Sequence, residues 1–211
     1  FFEALGLDGM KTLDESRKLI PEECFTIADA KRGDIGNTAT MYAKAFLEQM
    51  DFDSITIAPY MGQDSVEPFL QFKEKWAIVL GLTSNKGNLD FQRKMIDGTP
   101  LYELVMKTAM QWGTDENTMF VVGATNEEDF EHIRTFCPNH FLLVPGVGAQ
   151  GGDLEKLSQY GLNKDIGLLV NSTRGIIYAS NGKDFAERAR EEALAINEQM
   201  KSLIDKYSPS V

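Results

Sequence analysis

Charged residues are densest at positions 29–38, where the 211-residue chain reads DAKRGDIGNT. The segment begins at the end of an apolar run from Cys24 to Ala30, which predicts a β-strand. Since alternate side chains of a strand share a face, Asp29 and Lys31 are expected on the same side. Collecting these two charges with Asp34 is costly unless they are paired or used, so the pattern favours catalysis. A structural ion-pair network stays open as an interpretation, because such networks also shift pKa values.

Two further segments carry groups suited to binding an anion. Residues 145–152 read PGVGAQGG, and their glycines let backbone N–H groups approach an anion, although a tight turn has the same composition. The sequence NSTRG at 171–175 supplies hydroxyl groups and Arg174, whose guanidinium could instead form an internal salt bridge. Parallel barrels often bind phosphate at the ends of their last two strands. The two segments together therefore favour a phosphate site.

Six apolar runs rich in β-branched and aromatic residues predict the strands that position these groups. The runs span 24–30, 54–60, 76–83, 118–125, 140–147 and 166–173. They are apolar on both faces, as expected of parallel strands covered by helices. Helical patterns fill the gaps without a linker, so we predict one α/β domain over residues 1–211, a TIM (β/α)8 barrel. Such barrels have eight strands and usually about 250 residues, so one or two N-terminal βα units are expected to be absent from this chain.

A helix is predicted after the third strand. Thr99 is the expected N-cap and Pro100 the expected first helical residue. The predicted apolar face consists of Leu101, Leu104, Val105, Thr108 and Trp112. The polar segment 87–98 before this helix fits an ordinary solvated connection better than a mobile lid.

The composition excludes several classes of partner. The formal net charge of −11 and the pI near 4.7 oppose nonspecific binding to nucleic acid or to anionic membranes. Cys24 and Cys137 lie far apart, which predicts neither a disulfide framework nor a zinc site and favours a reducing cytoplasm. His132 and His140 have no partners at metal-ligand spacing and are predicted to be solvated or to cap an element. No apolar run reaches the roughly 18 residues of a membrane span.

The charged segment resembles the D-x-K-x-x-D-I signature of the orotidine 5′-monophosphate decarboxylases, particularly their bacterial second subgroup. The resemblance covers nearly the whole chain in order. It continues through APYMGQDSV at 58–66, LTSN at 82–85, VGAT at 122–125, the glycine-rich segment 145–152 and NSTRGIIY at 171–178. The resemblance implies a TIM barrel that converts orotidine 5′-monophosphate to UMP in de novo pyrimidine biosynthesis, without a cofactor or a metal.

The resemblance also implies catalytic roles and a homodimer. Lys31 would deliver a proton to C6 of the pyrimidine as the carboxylate leaves as CO2. Asp29 would face that departing carboxylate and position Lys31. Asp34 and Thr38 would reach the site of the neighbouring subunit, so that a monomer would be an incomplete enzyme.

Substrate-binding residues follow from the same resemblance. Ser84 matches the position that contacts the pyrimidine. Gln150 and Arg174 match residues that hold the phosphate, and Gly152 lies in the same loop. The family pattern also has an Asp after the first strand and a Lys just before a segment like Phe1–Glu3. Neither residue is present, which we interpret as truncation, disorder or renumbering.

Two alternative functions stay open at this point. The first is a Mg2+-dependent phosphosugar decarboxylase or aldolase of the same superfamily, which shares a D-x-K-x-x-D core. Its metal needs additional carboxylates, and the other recognisable strand ends supply none. The second is a noncatalytic domain that binds a nucleotide phosphate, against which the retention of Asp29, Lys31 and Asp34 argues.

Overall fold

The computed structural model describes residues 1–123, 127–147 and 153–208. The chain divides into two compact units, Phe1–Ile78 and Val79–Val211. Each unit is described by itself below, and the prediction of a single domain stays a prediction. None of the described helices is both long enough and apolar enough to cross a membrane.

The first unit alternates helices with parallel strands. Its elements in chain order are α1 (Gly6–Leu19), β1 (Ile27–Arg32), α2 (Gly36–Ala43), β2 (Ser54–Ile57), α3 (Glu67–Leu70) and the start of β3 (Trp76–Leu82). A 3-10 turn at Phe2–Leu5 precedes α1, a π turn at Lys44–Gln49 extends α2, and a 3-10 turn at Gln63–Ser65 precedes α3. All four residues of β2 are buried, because β2 lies between β1 and β3 in the sheet.

An irregularity in β1 determines where the charged segment emerges. Ala28 is in register with Ile55 of β2, but Arg32 is in register with Ile57, so β1 has additional residues over this stretch. Lys31 lies within this stretch and has a backbone φ of 47°, in the left-handed region that residues other than glycine rarely adopt. Two expectations were therefore wrong: β1 does not end at Ala30, and simple strand alternation does not set the direction of Lys31.

The second unit contains the rest of β3 and three further parallel strands. Its other elements are β4 (Met95–Ile96), β5 (Thr99–Pro100), α4 (Leu101–Ala109), β6 (Thr118–Val122), α5 (Glu127–Phe136), β7 (Leu142–Pro145), α6 (Leu154–Gly161), β8 (Leu168–Asn171), α7 (Arg174–Ile177) and α8 (Phe185–Tyr207). A 3-10 turn at Lys86–Leu89 follows β3, and β4 and β5 form a separate antiparallel pair. The order in the main sheet is β3-β6-β7-β8. All six predicted strands are thus confirmed.

The predicted start and face of α4 were wrong. Pro100 is the N-cap of α4 and no side chain caps it, because Thr99 and Pro100 pair with β4 instead. The buried residues of α4 are Tyr102, Glu103, Met106 and Ala109. A charged residue can lie on this face because two side chains donate to its carboxylate: Glu103 accepts hydrogen bonds from Lys107 at 2.6 Å and His132 at 2.7 Å.

Candidate functional site

The Asp29 and Lys31 side chains meet where β1 leaves the sheet. The Lys31 ammonium donates a hydrogen bond to the Asp29 carboxylate, so the two side chains lie on the same side as expected, although β1 is irregular here and does not follow simple alternation. More than half of each side chain is exposed, 62% for Asp29 and 52% for Lys31. Exposed ion pairs contribute little to stability, so a purely structural role does not explain the pair. The arrangement leaves a carboxylate and an ammonium group accessible beside each other.

Thr56 of β2 forms hydrogen bonds with both residues of this pair, and it was not identified from the sequence. Its hydroxyl donates to Asp29 Oδ1 at 3.0 Å and accepts from the Lys31 backbone N–H at 2.9 Å. Thr56 is fully buried, so both bonds are shielded from water. The signal available in the sequence was a second hydroxyl residue, after Ser54, inside an otherwise apolar strand.

Replacing Thr56 by Val is expected to reduce kcat about tenfold while KM stays within about twofold, because the pair loses its fixed orientation but the ligand keeps its contacts. Steady-state kinetics would measure both constants. Thr56→Ser keeps the hydroxyl and should recover most of the rate. Thr12→Val, which removes an exposed hydroxyl bonded to Asp8 O within α1, is the matched control. Equal loss in Thr56→Val and Thr56→Ser would contradict a positioning role.

Asp34 and Thr38 lie beyond the pair rather than within it. One oxygen of the Asp34 carboxylate accepts the Ile35 backbone N–H at 2.8 Å, and α2 begins immediately afterwards at Gly36. Thr38 is exposed in the first turn of α2. Within the described parts of the chain, neither side chain bonds to Asp29 or Lys31. Thr38 is thus exposed to another molecule and Asp34 is partly exposed.

Arg32 has a different role from its charged neighbours. Its guanidinium lies 5.5 Å from the centre of the Tyr42 ring and 5.0 Å from that of Phe46, and it forms an ion pair with Glu3. Nη1 also donates to Ala30 O at 2.9 Å. These contacts anchor the polypeptide directly after Lys31.

Ser84 follows the end of β3 in the second unit and is partly buried. The Gly123 N–H donates to Leu82 O at 2.8 Å, which joins the ends of β6 and β3. A Cβ atom on Gly123 would lie 2.6 Å from both the nitrogen and the Cβ of Ser84. A side chain at position 123 would therefore displace Ser84.

Arg174 and the start of the glycine-rich segment lie at neighbouring strand ends. Pro145 of β7 is in register with Asn171 of β8, and the Gly146 N–H donates to Asn171 O at 3.3 Å, which confirms that the last two strands are adjacent. Arg174 is exposed at the start of α7 and forms no ion pair with the described residues, so the alternative of an internal salt bridge is not realised there. Gln150 and Gly152 lie outside the described residues.

The cysteine and histidine side chains do not form a metal site among the described residues. Over residues 1–123, 127–147 and 153–208, no group of three His, Cys, Asp or Glu side chains could hold a metal ion. Burial raises the pKa of the Cys137 thiol to about 11, so it is protonated at neutral pH. His140 is 9% exposed, which makes the prediction of a solvated or capping histidine wrong. Burial lowers the pKa of His140, and its ring packs against Phe120 at a centroid distance of 5.5 Å.

The chain is similar in sequence and structure to proteins of known activity. Residues 1–189 match the model of the orotidine 5′-phosphate decarboxylase / HUMPS family. The orotidine 5′-phosphate decarboxylase of Flavobacterium johnsoniae is 57% identical over 208 residues, which are 97% of this chain and 76% of that protein. Its counterpart in Christiangramia forsetii is 54% identical over 209 residues, 98% of this chain and 77% of that protein. The solved structure of Leishmania donovani OMP decarboxylase has a TM-score of 0.82 at 35% identity and covers 94% of this chain and 77% of its own. This likeness confirms the predicted TIM-barrel fold class.

Proposed function

The chain belongs to the orotidine 5′-phosphate decarboxylase / HUMPS family, and from this premise we propose how its residues carry out the family reaction. It is an enzyme that decarboxylates orotidine 5′-monophosphate to UMP in pyrimidine biosynthesis. The observation that carries the proposed mechanism is the exposed Asp29–Lys31 pair fixed by Thr56.

Lys31 is the proton donor in this proposal. The bond between C6 and the carboxylate breaks, its electron pair stays on C6, and CO2 leaves. A proton then passes from the Lys31 ammonium to C6, and the neutral amine regains a proton from water. Asp29, hydrogen-bonded to that ammonium, orients the proton donor and repels the substrate carboxylate, which disfavours the ground state relative to the transition state.

Substrate binding is proposed to involve residues of the second unit. Ser84 contacts the pyrimidine, and the partly buried position of its side chain beside Gly123 suits a group that recognises a flat ring edge. Arg174 binds the phosphate, and its exposed guanidinium with no described ion-pair partner supports this role. Gln150 and Gly152 complete the phosphate contacts in the proposal on the strength of the resemblance alone. The proposal requires no cofactor.

A homodimer is part of the proposal, with Asp34 and Thr38 completing the site of the neighbouring subunit. Thr38 is exposed and Asp34 is partly exposed, and the same unit has exposed apolar side chains that a second copy would cover. These apolar residues are Ile35, Met41, Tyr60 and Met61, of which Tyr60 is 90% exposed. We place the protein in the cytoplasm, because neither of its two cysteines forms a disulfide and Cys24 is exposed.

The reaction is tested by following the loss of orotidine 5′-monophosphate absorbance with the intact protein, without added metal and with EDTA. Turnover that resists EDTA is expected. A requirement for added Mg2+ would instead support the phosphosugar enzyme. That alternative is not favoured, because relatives that are 57% and 54% identical are named orotidine 5′-phosphate decarboxylases. Tight UMP binding without turnover would indicate a noncatalytic nucleotide-binding protein.

The shared site is tested by mixing two inactive variants, Lys31→Ala and Asp34→Ala, under conditions that allow subunits to exchange. In a mixed dimer, one site would receive both intact side chains and the other would receive neither. Activity should therefore return to roughly a quarter of the wild-type rate. If Asp34 serves the site of its own chain, every site in the mixture has a defect and activity stays absent. Two Lys31→Ala preparations mixed together are the control.

A further inference from the structure

Thr83, the residue before Ser84, is bound at three of its polar groups by side chains of the segment that follows β3. Its backbone N–H donates to Gln92 Oε1 at 2.7 Å, and its hydroxyl accepts from Gln92 Nε2 at 2.9 Å. Its carbonyl oxygen accepts from Asn88 Nδ2 at 2.8 Å. Asn88 is buried, 7% exposed, so this bond is shielded from water. The backbone directly before Ser84 is thus fixed by side chains and not by the sheet alone.

The hydrogen bonds of Gln92 are directional. A backbone N–H can only donate, so the oxygen of the Gln92 amide must face the Thr83 N–H. The NH2 group of the same amide then faces the Thr83 hydroxyl. That hydroxyl uses its own proton for Asn85 Oδ1 at 2.6 Å. A side chain of the same size without an amide cannot both accept the Thr83 N–H and donate to the Thr83 hydroxyl.

Gln92 is itself rigidly placed. The backbone carbonyl oxygen of Gln92 accepts a hydrogen bond from the backbone N–H of Tyr102 in α4 at 2.8 Å. The next residue, Arg93, makes a two-pronged ion pair with Asp129 of α5, with Nη1–Oδ1 at 3.1 Å and Nη2–Oδ2 at 2.5 Å. Asp129 is 6% exposed, and its hydrogen bond raises the pKa of the Arg93 guanidinium. Two helices therefore hold the segment that carries Gln92.

Gly123 restricts Ser84 through a separate contact. A Cβ atom at position 123 would lie 2.6 Å from the Ser84 nitrogen, which shows that the two backbones are in direct contact. Movement of Ser84 towards β6 is blocked by Gly123, and movement of the preceding backbone is restrained by Gln92. The position of Ser84 is consequently restrained by Gly123 and, through Thr83, by Gln92.

We propose that Gln92 is a positioning residue for recognition of the pyrimidine, acting through Thr83 on Ser84. The inference rests on the proposed contact between Ser84 and the base. Gln92 has no part in holding the phosphate in this proposal, so its loss weakens binding of ligands that contain the base and spares those that do not. The segment 87–98, expected to be an ordinary solvated connection, thereby contributes to substrate recognition.

The test compares UMP with ribose 5-phosphate as calorimetric ligands of the intact protein. Gln92→Met is expected to weaken UMP binding about tenfold, as loss of its hydrogen bonds to Thr83 implies, and to leave ribose 5-phosphate within about twofold. Gln111→Met, at an exposed glutamine just after α4, is the matched control and should change neither. Gln92→Glu keeps an acceptor for the Thr83 N–H and should recover part of the UMP affinity. If Gln92→Met does not fold, the affinities of Gln92→Glu for UMP and for ribose 5-phosphate are compared instead.

A double-mutant cycle separates positioning from general disruption. If Gln92 acts through Ser84, then Gln92→Met adds little to the loss of UMP affinity already caused by Ser84→Ala. Additive losses, or an equal loss for UMP and ribose 5-phosphate, would overturn the inference. Failure of the wild-type protein to bind UMP would overturn the proposed function as well. Unchanged UMP affinity in Ser84→Ala would remove the role of Ser84, and with it this inference, while the Lys31 chemistry would stand.

Discussion

Lys31→Ala is expected to lower kcat for orotidine 5′-monophosphate by at least about 10³-fold, because the variant loses both the proton donor for C6 and the cation beside Asp29. Single-turnover and steady-state absorbance assays would measure this loss. UMP affinity should change by less than about tenfold, since an exposed ammonium contributes little to ground-state binding. The variant would thus bind the product and not form it.

Two further variants sharpen this result. Lys31→Arg keeps the positive charge beside Asp29, but a guanidinium holds its proton too tightly to donate it at neutral pH, so little activity should return. Lys44→Ala removes a lysine whose Nζ lies 3.7 Å from Glu48 on the surface, and it should leave kcat unchanged. If Lys31→Arg were nearly as active as the wild type, the role of Lys31 would be electrostatic only. Activity of Lys31→Ala within tenfold of the wild type would refute its assignment as the proton donor.

The stability of Lys31→Ala distinguishes catalysis from a structural ion-pair network. Because both partners are more than half exposed, the free energy of unfolding should fall by less than about 1 kcal/mol. Urea denaturation would measure this quantity. A large loss of stability together with retained activity would favour the structural network that the sequence alone left open.

The sequence predicted the strands because their residues are apolar on both faces, a pattern that burial on both sides of a parallel sheet requires. It also placed the charged segment and Pro145, where the glycine-rich segment begins, at the ends of strands. It could not predict the left-handed conformation of Lys31, which comes from the register change between β1 and β2. Nor could it assign a role to Thr56, because the role of a hydroxyl within a strand depends on which residues of the neighbouring strand it contacts.

Buried charges were the other group that the sequence did not reveal. Glu103 is buried on α4 only because Lys107 and His132 contact it, and these come from different helices. Hydrogen bonds from Lys107 and then His132 lower the pKa of Glu103 against the effect of burial. An amphipathic pattern assigns such residues to the solvent face, since it contains no information about partners brought together by the fold.

Arg134 is the clearest example of a charge partly buried by the fold. Its side chain leaves α5 and donates to four backbone carbonyl oxygens at 2.8 to 3.0 Å. These belong to Gly161 at the end of α6, Cys137 after α5, His140 before β7 and Gly167 before β8. Burial lowers the pKa of Arg134 to about 10, so the guanidinium is still charged at neutral pH. One side chain thus joins the starts of two strands to the ends of two helices.

Arg134→Met is therefore expected to reduce the free energy of unfolding by roughly 3–5 kcal/mol, because it leaves several carbonyl oxygens without a donor in a poorly solvated place. Urea denaturation followed by circular dichroism would measure the change. Arg134→Lys should recover less than half of it, since an ammonium cannot reproduce the planar fork that reaches four acceptors. Arg190→Met, which removes the same charge from an exposed position on α8, should cost less than about 0.5 kcal/mol. A loss below about 1 kcal/mol in Arg134→Met would mean that water or a neighbouring donor satisfies these carbonyls, and that β7 and β8 hold their positions without the guanidinium.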